Sequence, residues 1–254
     1  SGKGMERFEK MWRGAVRLWH LEHLGKTASH FGKPEFWREA YAAGKAAKEW
    51  FVEAATAADG AVDVYSAQRP VKKRNLQVLH VGCGISTLGS EVVSAFERSH
   101  AAPSISEVHN VDVSEEALGQ LEQAQALLPG ASQQRYALWD ASSGKAPEGG
   151  PFDLVLDKGA LDALQFAGAE SLIAFFAALR PLLQDGACMV HWSDEEPESR
   201  FELLKAAFPR SESFRVSWSL EEAPDGPRLC SDLDFYRYVV SHDRTEGAQT
   251  GTVS

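Results

Sequence analysis

Five apolar runs in this 254-residue chain each end in residues that can hold a ligand or a proton. "LQVLHV" ends at Gly82 and Gly84 of "GCG". "ISEVHNV" ends at Asp112, and "QRYALW" at Asp140. "FDLVL" ends at Asp157, Lys158 and Asp162 of "LDKGALD", and "ACMVHWS" at Asp194 and Glu195. A structural turn after a buried run needs a glycine and one acid at most. Two acids and a lysine around Gly159 suggest either solvated decoration or the mouth of a site.

Each residue type suits a particular contact. Gly82 and Gly84 allow a tight turn and close approach of the backbone to a ligand. A carboxylate at Asp112 can accept both hydroxyls of a ribose. Asp140 can accept from an adenine amino group, and Ala141 beside it offers a backbone donor. The dinucleotide fingerprint GxGxxG needs a glycine where Thr87 stands, so a pyrophosphate is not expected. Acids at four successive run ends with GxG on the first fit a ribose-and-adenine ligand with little phosphate and a cationic reacting group.

Such residues work together only if a scaffold brings the run ends to one place. Helix-like stretches alternate with the runs: "STLGSEVVSAFERS", "SEEALGQLEQAQALL" and "AESLIAFFAALRPLL". Ser114 is a natural N-cap, followed by two acids in the first turn. Alternation of this kind implies a parallel sheet covered on both faces, with ligands beyond the carboxyl ends of its strands. Near the end, "SFRVSWSL" and "DFYRYVVS" follow each other without a helix and suggest an antiparallel pair closing one sheet edge.

The N-terminal fifth differs. Phe8, Met11, Trp12, Val16, Trp19 and Leu24 recur at helical spacing among basic residues, as on an amphipathic helix. It reads as packed on its own domain, as a partner helix, or as a presequence remnant that Glu6, Glu9 and Glu22 argue against. In "KPEFWREAYAAGKAAKEWFVEAA", Trp37 and Tyr41 are four apart and share a helix face, and Trp50 opens another apolar patch.

Composition sets outer bounds. The net charge is −10, which argues against general nucleic-acid binding and makes a cationic partner reasonable. Residues 1–50 carry ten Lys/Arg against six Asp/Glu, so the acidic excess lies in the remainder. No apolar run approaches the roughly 20 residues that span a bilayer. Cys83, Cys188 and Cys230 form no disulfide framework or zinc pattern; the first two lie in apolar runs and read as core. The opening "SGKGM" reads as an appended remnant ahead of Met5 or as an internal truncation point.

The glycine motif, Asp112, Asp140 and the late strand pair together resemble a class I S-adenosylmethionine-dependent methyltransferase, over residues from about 35 to 240. The resemblance implies an α/β, Rossmann-like seven-stranded sheet, six strands parallel and one antiparallel, with helices on both faces. It implies an N-terminal helical extension and cofactor lid at 1–65, a methyltransferase domain at 66–242 and a disordered tail at 243–254. His80 departs from the family, which often has an acid there. "LDKGALDAL" is further similar to the DKGxxDA signature of a protein-lysine methyltransferase group acting on elongation factor 1-alpha and citrate synthase. "FWREAY" and the later Trp50 resemble that group's cofactor-closing aromatics. "HWSDEEPESR" and "FYRYVV" look most like the citrate synthase branch.

The resemblance implies S-adenosyl-L-methionine held by Trp37, Tyr41, Trp50, Gly82, Gly84, Asp112, Val113, Asp140, Ala141, Asp157 and Lys158. Asp157 and Asp162 are the expected catalytic acids, with Asp157 facing the reaction. Asp194 and Glu195 are expected to guide the substrate, unless that stretch is a solvated acidic loop. The implied partner is a protein with a reactive lysine, citrate synthase favoured, with no nucleic acid, membrane or metal, and a monomeric enzyme. The implied compartment is mitochondrial, the alternative cytoplasmic. Rival readings are elongation factor 1-alpha, a small-molecule amine, or a non-catalytic module that keeps the fold.

Overall fold

The computed structural model describes residues 28–68, 75–99, 103–221 and 234–243. The amphipathic stretch before residue 28, Cys230 and the tail from 244 lie outside the described residues.

Seven strands form one sheet: β1 (Asn75–Val81), β2 (Ser104–Asp112), β3 (Gln134–Leu138), β4 (Phe152–Lys158), β5 (Leu183–Ser193), β6 (Phe214–Glu221) and β7 (Phe235–His242). Their order is β3-β2-β1-β4-β5-β7-β6. β7 runs antiparallel to both neighbours, and the other pairings are parallel. The expected mixed sheet, with its closing strand pair at one edge, is therefore present. β4 is apolar from Leu154 to Leu156 because both of its faces are covered; every residue from Phe152 to Lys158 is buried, the charged Asp153, Asp157 and Lys158 included.

Two cores fill the two sides. One packs α2 (Ala54–Ala67) and α3 (Leu88–Arg98) on Leu76, Val78, Leu154, Leu156, Val190 and Trp192. The other packs α5 (Ala160–Leu164), α6 (Ala169–Leu179) and α7 (Pro197–Ala207) on Leu79, Val81, Val155, Met189 and Val240. α4 (Glu115–Gln125) starts as expected, with the Ser114 hydroxyl accepting from the Ala117 amide at 3.2 Å. Cys83 and Cys188 are buried as expected.

Two segments depart from the sequence reading. In "KPEFWREAYAAGKAAKEWFVEAA", Trp37 and Tyr41 lie on one helix, as expected. α1 (Pro34–Ala42) stops just before Gly44, whose φ of +64° breaks helical geometry. Trp50 therefore lies on an irregular segment, and the boundary expected at residue 65/66 falls inside α2. That helix buries Ala57, Ala58, Ala61 and Tyr65 in the sheet core. The second departure is α7, which begins within the acidic stretch with Pro197 at its first position, a favourable start for a helix.

Candidate active site

The carboxyl ends of β1, β2, β3 and β4 open on one cleft. Its floor is the turn after β1. Gly82 and Gly84 sit at φ of +56° and +52°, where any side chain is strained. A Cβ on Gly84 would lie 2.3 Å from the Tyr41 hydroxyl, and one on Gly82 2.4 Å from the Ala160 Cβ.

Asp112 anchors this floor. Its Oδ2 accepts from the Gly84 amide at 2.8 Å and its Oδ1 from the Ser114 amide at 3.0 Å. Burial raises its pKa, and those backbone donors only partly offset the shift. The Gly84 amide, which a phosphate would need, is already taken by an anion. The floor thus suits neutral hydroxyl donors. Asp140 caps the turn after β3, its Oδ1 accepting from the Ser142 amide at 2.9 Å and the Ser142 hydroxyl at 2.6 Å.

His80 is buried at the end of β1 and is uncharged. Burial pulls its pKa down to about 4. Its Nδ1 lies 3.1 Å from the Asn110 Oδ1, and the Asn110 amide donates to the Gln134 Oε1 at 2.8 Å. That direction makes Nδ1 the protonated nitrogen and leaves Nε2 an acceptor.

The N-terminal segment roofs the cleft. α1 is tied to the end of β2 by Arg38 Nε donating to the Val113 carbonyl at 3.1 Å, and to α4 by Gln120 Nε2 donating to the Tyr41 carbonyl at 3.4 Å. Trp37 stands 6.3 Å from Tyr41 and 6.1 Å from Trp50, ring to ring. Phe51, at a φ of +62°, turns the chain so that its ring packs 5.5 Å from Phe235. Glu49 latches the segment down. Its carboxylate accepts from the buried Lys158 Nζ and from the Ser86 hydroxyl at 2.8 Å, while Lys158 also donates to the Val52 carbonyl at 3.2 Å. Burial lowers the Lys158 pKa, and Glu49 opposes that shift.

Trp37, Tyr41, Trp50, Gly82, Gly84, Asp112, Val113, Asp140, Ala141 and Lys158 all line the cleft. Asp157 does not, and it is fully buried. The sequence reading has it face the reaction; the structure turns it inward. Its carboxylate accepts from the Ala160 amide at 2.9 Å and the Leu161 amide at 3.1 Å, so it caps α5. Asp162 is also outside the cleft lining. Its Oδ1 accepts from the Ser193 hydroxyl and, at 3.1 Å, from the buried Arg200 guanidinium. His191 lies between the two acids, 3.6 Å from Asp157 and 3.8 Å from Asp162.

Asp194 and Glu195 sit between β5 and α7, away from the cleft lining. Glu195 accepts from the Ser199 hydroxyl at 2.6 Å, and its carbonyl accepts from the Tyr238 hydroxyl at 2.6 Å. Sequence reading missed Glu49, Ser86, Trp139 and Arg200. Trp139 had a signal, being the last apolar residue before Asp140. The others became visible only through their partners.

Residues 79–189 match the model of a methyltransferase domain. No curated protein matches the chain. Among solved structures, the plantazolicin methyltransferase BpumL, bound to a triazolic desmethylPZN analog and SAH, is similar at 14% identity. It covers 85% of this chain and 95% of its own, with a TM-score of 0.54. A TehB-like S-adenosylmethionine-dependent methyltransferase from Corynebacterium glutamicum shares 15% identity over 82% of this chain and 95% of its own, TM-score 0.50. The [4+2]-cyclase SpnF shares 15% over 82% and 92%, TM-score 0.51.

The fold is that of a class I methyltransferase. The cofactor that the matched domain calls for is S-adenosyl-L-methionine, and the cleft fits it. Asp112 and Asp140 offer acceptors at two strand ends, bare glycines admit the ligand backbone-close, and aromatic rings can face a sulfonium. Among the described residues no cluster of His, Cys, Asp or Glu is arranged to hold a metal ion, and no helix is long and apolar enough to cross a membrane. The cyclase neighbour shows why the methyltransferase fold leaves the substrate to be argued from the site.

Proposed function

We propose that the protein is an S-adenosylmethionine-dependent protein-lysine N-methyltransferase, with citrate synthase as its favoured substrate. One observation carries the reading. The "LDKGALDA" loop, similar to the signature of lysine methyltransferases, supplies a wall of the same cleft that Trp37, Tyr41 and Trp50 roof, through Lys158, Ala160 and Ala163.

When bound, the cofactor supplies an electrophilic methyl group. The chain's own residues align the attacking amine and keep water out. The aromatic roof does the second. A lysine ammonium entering beneath it is desolvated and so loses its proton more readily, while rim carboxylates attract the charged form and oppose that loss. Asp157 acts as a positioning residue: by holding the Ala160 and Leu161 amides it fixes the Lys158–Ala160 wall. Asp162 does the same for the end of β5 through Ser193 and Arg200. Asp194 and Glu195 belong to the acidic rim. By the same resemblance the enzyme works as a monomer in the mitochondrion, the alternative being the cytoplasm.

Calorimetric titration with S-adenosylmethionine comes first; no binding at millimolar cofactor sinks every methyltransferase reading. Labelled cofactor is then incubated with purified citrate synthase or elongation factor 1-alpha, and the modified residue is mapped. Label on a citrate synthase lysine is expected. Label on the elongation factor instead moves the substrate, and label on neither moves the reading to a small-molecule amine.

A further inference from the structure

Three strands on one side of the cleft carry a row of paired residues on one sheet face. His191 of β5 pairs with Tyr238 of β7, which pairs with Trp218 of β6. One step nearer the carboxyl ends, Ser193 pairs with Tyr236, and Tyr236 with Leu220. The row begins buried and ends exposed. Tyr238 is wholly buried, whereas Trp218 is 46% and Leu220 52% exposed. Trp218 packs edge-on to Tyr236 at 5.8 Å, so the apolar surface is continuous. β6 is also the edge of the sheet.

Scattered exposed apolar residues need no explanation, but a tryptophan and a leucine on one face of an edge strand make a patch. This patch borders the acidic stretch that follows β5, since Tyr238 donates to the Glu195 carbonyl. Glu198 there is exposed. The nearest basic residues in the strand pair are neutralised, Arg215 by Asp243 at 2.7 Å and Arg237 by Glu221 at 3.0 Å.

We propose that Trp218, Leu220 and Tyr236, with the acidic stretch that follows β5 beside them, form the docking surface for the protein segment that carries the target lysine: a basic strand with an apolar anchor. The inference rests on the protein-lysine reading above and adds the recognition element to it. Charge selects the partner, because an acidic border beside an apolar patch favours a cationic, partly apolar segment over a nucleic acid or a polar metabolite. Geometry sets the spacing. From β4, which carries the cleft wall, to β6 is three strand spacings, about 14 Å at ~4.8 Å each. An extended chain covers that in about four residues. The apolar anchor therefore sits about four residues from the methylated lysine.

The test uses the full chain with Trp218→Ser/Leu220→Ser, and Leu220→Asn alone as a milder variant, on purified citrate synthase with labelled cofactor. The expected result is a KM for the protein substrate raised about tenfold or more by the double variant. Cofactor affinity is expected to stay unchanged, because neither residue lines the cleft, and Tm to fall only slightly, because both side chains are about half exposed. An unchanged KM, with wild-type labelling intact, overturns the docking surface and leaves the lysine reading standing. No label from the wild type removes that reading and this inference together. A KM unchanged in both variants while Tm falls means the residues serve the fold alone, and a light-scattering mass that falls from dimer to monomer in the variant means a second copy covers the patch; either result also overturns the proposal.

Discussion

Asp112 is asked to do two jobs at once, holding the glycine turn and offering acceptors to the cofactor. Burial raises its pKa, so in the free protein it takes up a proton at less acidic pH than an exposed aspartate does. Ribose hydroxyls donate best to the ionised carboxylate, so cofactor binding lowers that pKa. The sign follows. Affinity is full above the free-protein pKa and falls as pH drops through it. Calorimetric Kd values are expected to weaken as pH falls through the raised pKa of Asp112, while Asp112→Asn binds more weakly throughout with a flatter profile. At Asp157 the question is base or brace. Asp157→Asn keeps an acceptor for the α5 amides and is expected to retain activity within about threefold of wild type. Asp157→Ala loses the cap, at about 1–2 kcal/mol of stability, and most of the turnover. Inactive but stable Asp157→Asn would restore the proton-transfer role read from the sequence.

At the scale of elements, the roof over the cleft is a segment that helical propensity alone does not hold. α1 ends before Gly44, and the chain from there to α2 is fixed by the Glu49–Lys158 pair, the Lys158–Val52 contact and the Ser86 hydroxyl. Removing one partner of a buried ion pair leaves an uncompensated charge and typically costs about 3–5 kcal/mol. Glu49→Gln keeps an acceptor, and burial already favours a neutral Lys158, so the lower end, about 3 kcal/mol, is expected in denaturant unfolding. Glu49→Gln/Lys158→Met should recover part of that loss, and a double-mutant cycle measures the coupling. Because Trp50 is adjacent to Glu49, the single variant should also release cofactor faster.

For the molecule as a whole, these parts converge at one edge of one sheet. The acids at successive strand ends meet because parallel strands point their carboxyl ends the same way, and the N-terminal segment crosses over them. A ligand that binds only the folded chain stabilises it by about 2.7 kcal/mol at a hundred times its Kd. For a chain of this size that corresponds to a Tm raised by roughly 5–10 °C. Thermal scans with saturating S-adenosylmethionine check it, and Asp112→Asn should shift less at the same concentration.

What the sequence determined by itself was the periodic part. The apolar runs and the helical stretches between them dictated a covered parallel sheet, because short-range burial patterns survive in the order of residues. The run-end positions Gly82, Gly84, Asp112 and Asp140 were legible for the same reason, since a strand's end fixes its neighbour's place. Trp37, Tyr41 and Trp50 were legible by resemblance, although the irregular path that brings Trp50 to them was not. The tertiary structure alone decided which way a side chain turns and what it meets. Asp157 caps a helix because α5 starts three residues on and offers it two amides. Glu49 reaches Lys158 across 109 positions of chain, and Arg200 reaches Asp162 across 38. Such partners are set by packing between elements distant in sequence, and no local pattern records them.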